Sequence, residues 1–335
     1  MDLKNNSTKI IVTYGPALDK SADLYEVLRK VDIVRINMSH GNSEQWLYFL
    51  KKISDFNLKS HKKVEILGDL PGPKIRVHGV KSDMRISKND RIVLSYQNQQ
   101  DGGLYINFDI YDFLNIGSAL YIGDDGLKFV VDNLNNRKIS CVALTEGIIV
   151  EGRGVDIESM PDSFAPPTHA DIEGIKFALD NNFDYIAVSF VASAADIAVV
   201  REHSKDLKVI SKIERSCAIE RIESIVNASD CVMVARGDLG FAIPIESVPI
   251  AQKNIIKVCE RMKKQVIVAT QMLASMVEST MPTRAEVSDV VNAVIDGADY
   301  LMLSNETAVG KHPLEAVIVL RNGIHYAQQY MNMNK

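Results

Sequence analysis

The sequence predicts an α/β protein: a (β/α)8 TIM barrel with a small all-β domain inserted after the third barrel strand. Three observations lead there. Eight short apolar, β-branched runs recur along the chain, KIIVT, VDIVRINMS, VEILGD, DYIAVSF, VISKIE, CVMVARGD, VIVAT and DYLMLSNE, and most end in polar, chemistry-bearing residues. Stretches of helical periodicity lie between them. The Gly-rich dinucleotide turn that would favour an open doubly wound sheet is missing from every strand-to-helix junction. Continuous apolar strands are buried on both faces, which a parallel sheet covered by helices requires. In such a barrel the chemistry gathers at the carboxyl ends of the strands, where these polar residues fall.

The elements follow in chain order. KIIVT is followed by a helical stretch at 22–29, and VDIVRINMS by one at 43–56 that starts near Ser43, with Glu44 and Gln45 close behind. After VEILGD the regular alternation stops at Ile75-Arg76-Val77 and resumes near Asp171. Between them lie RIVLSYQ, LYINF, SALYIGD, LKFVVDN, KISCVAL and GIIVEG, punctuated by Asn-Asp, Asp-Gly-Gly, Asn-Ile-Gly and Asn-Asn turns. This predicts barrel segments 1–76 and 162–335 and an inserted β domain at 77–161. An insertion on a βα loop is placed to act as a lid over the active face. Helices are then expected at 196–204, 218–226, 248–264 and 284–295, the last starting at Thr283 after Pro282. A final helix at 313–330 runs close to the chain end, so no further domain is expected after it.

Composition bounds the function. The 335 residues carry 38 Lys and Arg against 43 Asp and Glu, a net charge of −5, so no overall basic field points to nucleic acid or an anionic membrane. Cys141, Cys217, Cys231 and Cys259 show no CxxC spacing and read as reduced core thiols. The start, MDLKNNSTK, lacks an apolar signal core, and no run of about 18 apolar residues occurs, so a cytoplasmic protein is expected.

The strand period of two places Lys212 and Glu214 on one face, either as a structural ion pair or as a catalytic cation beside a metal ligand. The next run ends in Ala235-Arg236-Gly237-Asp238, a second carboxylate and a turn with free backbone N–H groups. Two carboxylates without a His or Cys cluster suit Mg2+ or Mn2+. Thr270-Gln271 and Ser304-Asn305-Glu306 close the ring, and across from them Arg35, Asn37 and Ser39 share a strand face beside His40. Asp69 and Arg76 bracket the turn Leu70-Pro71-Gly72-Pro73-Lys74. Arg35 and Arg76 suit a phosphoryl clamp, because a planar guanidinium matches phosphate oxygens bidentately. Phosphoryl transfer needs such positioning and charge neutralisation more than a covalent partner. No Walker motif exists, since the only Gly-Lys pair, Gly310-Lys311, is followed by His312.

In order along nearly the whole chain, TKIIVTYGP, VRINMSHGNS, DLPGPKIR, ISKIE, VMVARGDLG, ATQMLASM, PTRAEVSDVVNAVIDGADYLMLSNETA and PLEAV resemble the pyruvate kinase family. The resemblance implies transfer of a phosphoryl group from phosphoenolpyruvate to ADP, giving pyruvate and ATP. By it, Glu214 and Asp238 ligate the divalent cation, and Lys212 stabilises the moving phosphoryl group and the enolate. The backbone of Ala235, Gly237 and Asp238, with the Thr270 hydroxyl, holds the substrate carboxylate, and Thr270 lies near the water network that protonates the enolate. Arg35 and Arg76 contact phosphates, Thr13, Pro16, Asn37 and His40 lie toward the nucleotide, and Ser304 and Glu306 support the site. Asp125 resembles the family's lid aspartate.

The chain also departs from the pattern. Lys74 stands where the family usually has an acid, and Leu70 replaces a hydroxyl that helps ligate K+. The site for the monovalent cation, formed by Asn37, Ser39 and Asp69, is then expected to use the Lys74 ammonium instead, making activity independent of K+. Gly152 and Arg153 replace a Lys pair, with Asp156, Glu158 and Asp162 following; Arg153 keeps a phosphate contact. Val309 replaces a Lys, Asn305 a Gly and Ala192 a basic residue. The metal and phosphoenolpyruvate half is thus complete and the nucleotide half altered. Two other readings are a related enzyme using another acceptor or keto acid, and a pseudoenzyme that binds phosphoenolpyruvate without turnover. The family's C-terminal domain, with its sugar-phosphate effector site, is not expected here, nor is allostery of that type. A barrel-to-barrel homodimer fits the resemblance, whereas a tetramer loses half of its usual contacts.

Overall fold

The computed structural model describes residues 7–97, 103–123, 126–157 and 164–333. The chain forms two compact units, one of residues 1–72, 165–236 and 248–335, the other of residues 73–164 and 237–247. Among the described residues no helix is long and apolar enough to cross a membrane.

In the first unit, Lys9–Thr13, Ile33–Asn37, Glu65–Asp69, Tyr185–Val188, Lys208–Ile213, Cys231–Ala235, Gln265–Ala269 and Tyr300–Leu303 close into a parallel barrel. Each strand pairs with the one before it in this series, and the last pairs with the first. The eight apolar runs of the sequence are these strands. Their inward side chains stack in layers contributed by alternate strands, the arrangement that fills a barrel of this size. Ile11, Leu67, Ile210 and Ile267 come from the odd strands, Ile33, Tyr185, Cys231 and Tyr300 from the even ones, and with Ala187, Met233, Met302 and Ala269 they form one buried cluster.

The layers turn polar at both ends. At the amino-terminal end Tyr185 Oη donates to Glu65 at 3.3 Å and Tyr300 Oη to Gln265 at 3.3 Å, with the Lys9 and Lys208 ammonium groups over the two rings. Burial pushes the Tyr300 hydroxyl up to about 12, so it stays a neutral donor. At the carboxyl end the same alternation continues two residues beyond the apolar layer, from Ile11 to Thr13, Leu67 to Asp69 and Ile210 to Lys212. The register that fills the core with isoleucine and leucine therefore aims a hydroxyl, a carboxylate and an ammonium into the mouth.

The helices follow the sequence reading, with differences of physical origin. The helix Ser43–Lys59 is capped by Asn42, whose side chain accepts from Gln45 N. Thr283 and Glu286 form a reciprocal capping box on Arg284–Ile295, and Thr168 with Asp171 does the same for His169–Asp180, a helix missing from the sequence reading. The stretch expected as one helix at 218–226 is two, Ser216–Glu220 and Ile222–Ala228, broken at Arg221.

In the second unit seven strands run in the order Val155–Ile157, Ala119–Ile122, Leu127–Asn135, Lys138–Ala143, Arg91–Tyr96, Leu104–Ile106 and Val77–His78, beside a separate pair, Met84–Ile86 with Gly147–Ile149. Asn136 and Arg137, at φ 50° and 58°, make the two-residue turn between its longest antiparallel pair. Positive φ at both positions matches the turn's twist to that of the strands. Phe129, Leu94, Ile106 and Cys141 sit at the centre of its core, and burial pushes the Cys141 thiol up to about 12, leaving it inert. Residues 237–247 join this unit through Phe241, which packs on Tyr121 with ring centroids 5.3 Å apart.

Candidate active site

Four charged side chains converge at the carboxyl ends of neighbouring barrel strands. Arg35 donates from Nε to Asp69 Oδ2 at 2.6 Å and from Nη1 to Thr13 Oγ1 at 2.9 Å. The other oxygen of Asp69 lies 3.2 Å from Lys212 Nζ, which is also 3.0 Å from Glu214 Oε1 and donates to Ser189 Oγ at 2.7 Å. Ser189 Oγ in turn donates a hydrogen bond to the Leu70 carbonyl at 2.7 Å, and Glu214 Oε2 accepts from Phe190 N at 2.7 Å.

Asp69 is 1% exposed and Glu214 2%, so isolated charges here would be costly, and the array is tolerable because two cations face two anions. Burial pushes the Asp69 carboxyl up, but the Lys212 ammonium and the Arg35 guanidinium outweigh it and hold the group below the usual carboxylate range. Lys212 is thus fixed in place by Asp69, Glu214 and Ser189.

The backbone around the array is strained. Phe190 has φ 59°, Thr270 φ 71° and Gln271 φ 54°, left-handed values that side chains other than glycine rarely adopt, at a cost of about 1–3 kcal/mol each. The bond from Phe190 N to Glu214 holds the first. Gly72, at φ 66°, could not be another residue on steric grounds either, since a Cβ there would lie 2.7 Å from Ser189 Cβ. Its N–H donates to Asp171 at 2.9 Å, tying the turn after the third strand to the start of the next helix.

Of the remaining barrel candidates, Glu306, Ser304 and Thr13 brace this mouth, whereas Asn37, Ser39 and His40 make local contacts. Glu306, 2% exposed, accepts from Leu273 N at 3.2 Å and Ser304 N at 2.7 Å, joining the segments after the seventh and eighth strands. Thr13 is held by the Thr307 hydroxyl, which receives Thr13 N at 3.1 Å and donates to Thr13 O at 3.0 Å. Exposed Pro16 begins a short helix, Asn37 Oδ1 accepts from Ser39 N at 3.1 Å, and exposed His40 gives its carbonyl to the Trp46 indole at 3.0 Å.

Five other candidates belong to the second unit. Arg76 donates from Nη1 to the Gly152 carbonyl at 2.7 Å, and its N–H donates to Asn107 at 2.7 Å. Lys74 Nζ lies 3.5 Å from Asp238 Oδ1, its side chain passing so close to Gly154 that a Cβ there would meet Lys74 Cε at 2.6 Å. Arg153 follows Gly152, which has φ 75°, and Gly237 precedes Asp238 in the helix Arg236–Ala242. Ala235, in the first unit, ends the sixth barrel strand. Asp125 lies outside the described residues, as do Glu158 and Asp162.

Among the described residues no three His, Cys, Asp or Glu gather as a complete cation cage. Mg2+ takes one or two protein carboxylates and completes its shell with water and substrate oxygens. The donor chemistry fits: Glu214 is a carboxylate oriented by the Phe190 N–H, and Asp238 is partly exposed, its side chain 26% accessible.

Sequence reasoning missed Ser189, Phe190, Arg236 and Asp289. Ser189 had a signal, lying two residues after inward-facing Ala187. Arg236 had none beyond its position. It donates to the Thr270 carbonyl from Nε at 3.2 Å and Nη2 at 2.7 Å, and its Nη1 is gripped by both oxygens of Asp289 at 2.8 and 2.7 Å.

Comparison with known proteins agrees with the geometry. Residues 5–317 match the family model described as pyruvate kinase, barrel domain. The chain is 37% identical to a pyruvate kinase of Thermococcus litoralis, covering 98% of this chain and 71% of that protein. It is 40% identical to one of Thermotoga maritima, covering 94% and 69%, and 38% identical to one of Methanocaldococcus jannaschii, covering 96% and 70%.

Proposed function

The chain belongs to the pyruvate kinase family, and on that premise we propose that it transfers the phosphoryl group of phosphoenolpyruvate to ADP, giving pyruvate and ATP. The observation that carries the reading is the largely enclosed ammonium of Lys212, paired with Asp69 and Glu214 and hydrogen-bonded to Ser189. A cation held at that point neutralises charge that develops as the phosphoryl group leaves an enolate, and needs no reorganisation at the moment of reaction.

A divalent cation, Mg2+ or Mn2+, held by Glu214 and Asp238, supplies Lewis-acid neutralisation of the phosphoryl and enolate oxygens when bound. The chain's own groups do the rest. Backbone N–H groups of Gly237 and Asp238, at the start of the helix that follows Ala235, orient the substrate carboxylate together with the Thr270 hydroxyl. Thr270 also lies near the water network that protonates the enolate to pyruvate. Arg35 uses two of the five N–H bonds of a guanidinium on Asp69 and Thr13, and turns the remainder to phosphate oxygens with Arg76. Thr13, Pro16, Asn37, His40 and Arg153 face the nucleotide, and Asp125 acts from the inserted lid. Ser304 and Glu306 keep the rim in register. Lys74 takes the place of K+, the ion that Asn37, Ser39 and Asp69 would otherwise help to hold. The reaction and its partners are those of a cytoplasmic enzyme, with a homodimer through the barrel as its assembly.

Release of pyruvate from phosphoenolpyruvate, ADP and Mg2+ in K+-free buffer tests the proposal, and turnover is expected. A second reading is favoured by Val309 and Arg153, which stand where the family carries lysines. If ADP fails while phosphoenolpyruvate still binds in a Mg2+-dependent way, another acceptor is indicated. Retention of Lys212, Glu214, Asp238 and Thr270 together argues against a pseudoenzyme.

A further inference from the structure

Thr270 stands directly after the seventh barrel strand, Gln265–Ala269, in a conformation a β-branched residue avoids. Its φ of 71° is followed by 54° at Gln271, so two consecutive non-glycine residues are held left-handed. Such a state persists only when surrounding structure over-determines it. The restraint is visible on its carbonyl, which receives Arg236 Nε at 3.2 Å and Nη2 at 2.7 Å.

Arg236 is itself fixed. Its Nη1 meets both carboxylate oxygens of Asp289, 2.8 and 2.7 Å away on the helix Arg284–Ile295, and lies 3.5 Å from Gln252 Oε1. Its Nη2 also lies 2.9 Å from Met272 Sδ. A guanidinium has five N–H donors, and Thr270, Asp289, Met272 and Gln252 occupy them all. This arginine therefore has nothing left for a phosphate, unlike Arg35.

We propose that Arg236 and Asp289 form a positioning pair that sets the Thr270 hydroxyl toward the substrate by clamping the Thr270 carbonyl. The proposal rests on the reading that Thr270 meets the substrate. Only the planar fork of arginine grips one carbonyl with two donors while a third nitrogen holds a carboxylate; a lysine keeps the charge and loses the grip.

The test is a double-mutant cycle of Arg236→Lys and Thr270→Ala, read by kcat, by KM for phosphoenolpyruvate, and by exchange of the pyruvate methyl protons for deuterium in the presence of Mg2+. A misplacement of about 1 Å is enough for a loss on the order of a hundredfold. Arg236→Lys is expected to lower kcat and methyl exchange together by roughly ten- to a hundredfold, with KM within about threefold. The double variant is expected to be no slower than Thr270→Ala alone, because the pair acts only through Thr270. Asp289→Asn repeats the test with an isosteric change if Arg236→Lys folds poorly. Full additivity, or wild-type turnover in both Arg236→Lys and Asp289→Asn, would overturn the clamp and leave the role of Thr270 standing. Wild-type turnover and exchange in Thr270→Ala would instead remove that role, and the positioning pair with it. A separate readout reports the strain: glycine adopts the left-handed state freely, so adding Thr270→Gly to Arg236→Lys should recover thermal midpoint lost by the lysine. No recovery would contradict the clamp.

Discussion

Asp69 bridges the two cations of the barrel mouth, one oxygen 2.6 Å from Arg35 Nε and the other 3.2 Å from Lys212 Nζ. In the folded protein Lys212 and Arg35 hold its pKa below the usual carboxylate range, against the opposing effect of burial. A carboxyl depressed in this way contributes stability that is complete above its unfolded pKa and is lost as pH falls through the folded value. Thermal midpoints of the wild type should therefore fall below about pH 4, and part of that fall should vanish in Asp69→Asn, which is neutral in both states. At neutral pH the same substitution leaves Arg35 and Lys212 under-compensated, an expected loss of about 3–5 kcal/mol by denaturant titration. Equal acid slopes in the two proteins would contradict the bridging role.

Gly72→Ala should damage the site without touching a charge. The new methyl would meet Ser189 Cβ at 2.7 Å in a backbone that already requires φ 66°. Backbone strain alone costs about 1–3 kcal/mol, and relief of the clash moves the hydroxyl that receives Lys212. Both a lower melting temperature and a lower kcat are expected. A kcat equal to wild type at full occupancy would show that the Ser189 contact does not position the lysine.

Lys74 offers a test against solvent ions. With its ammonium 3.5 Å from Asp238, the chain carries a tethered monovalent charge, so replacing K+ by tetramethylammonium should leave turnover unchanged. Lys74→Glu should make turnover depend on K+. A strong K+ requirement in the wild type would remove the proposed substitution.

Much of this is legible in the sequence because barrel strands announce themselves twice, as apolar runs and as runs that end polar. The alternation from Ile210 to Lys212 to Glu214 is enough, by strand period alone, to place an ammonium and a carboxylate on one face. What escapes depends on contacts distant in the chain. Arg236 and Asp289 lie 53 residues apart, and no local pattern joins them. The helix His169–Asp180 escapes although Thr168 and Asp171 spell its cap, because Gly174 lowers its propensity. Its glycine answers to packing: a Cβ at 174 would lie 2.8 Å from Leu70 Cδ2. The break at Arg221 carries no glycine or proline signal, and its guanidinium reaches back to the Ala192 carbonyl at 3.3 Å.

The proposal that the Lys212 ammonium stabilises the transferring phosphoryl group is tested most directly by Lys212→Met, a change that removes the cation and keeps the stem's volume. Pyruvate release from phosphoenolpyruvate and ADP should fall by roughly a thousandfold or more, while Mg2+-dependent binding of phosphoenolpyruvate persists. Turnover within about threefold of wild type would show that the lysine is only a structural counter-ion for Asp69 and Glu214, and would contradict the mechanism.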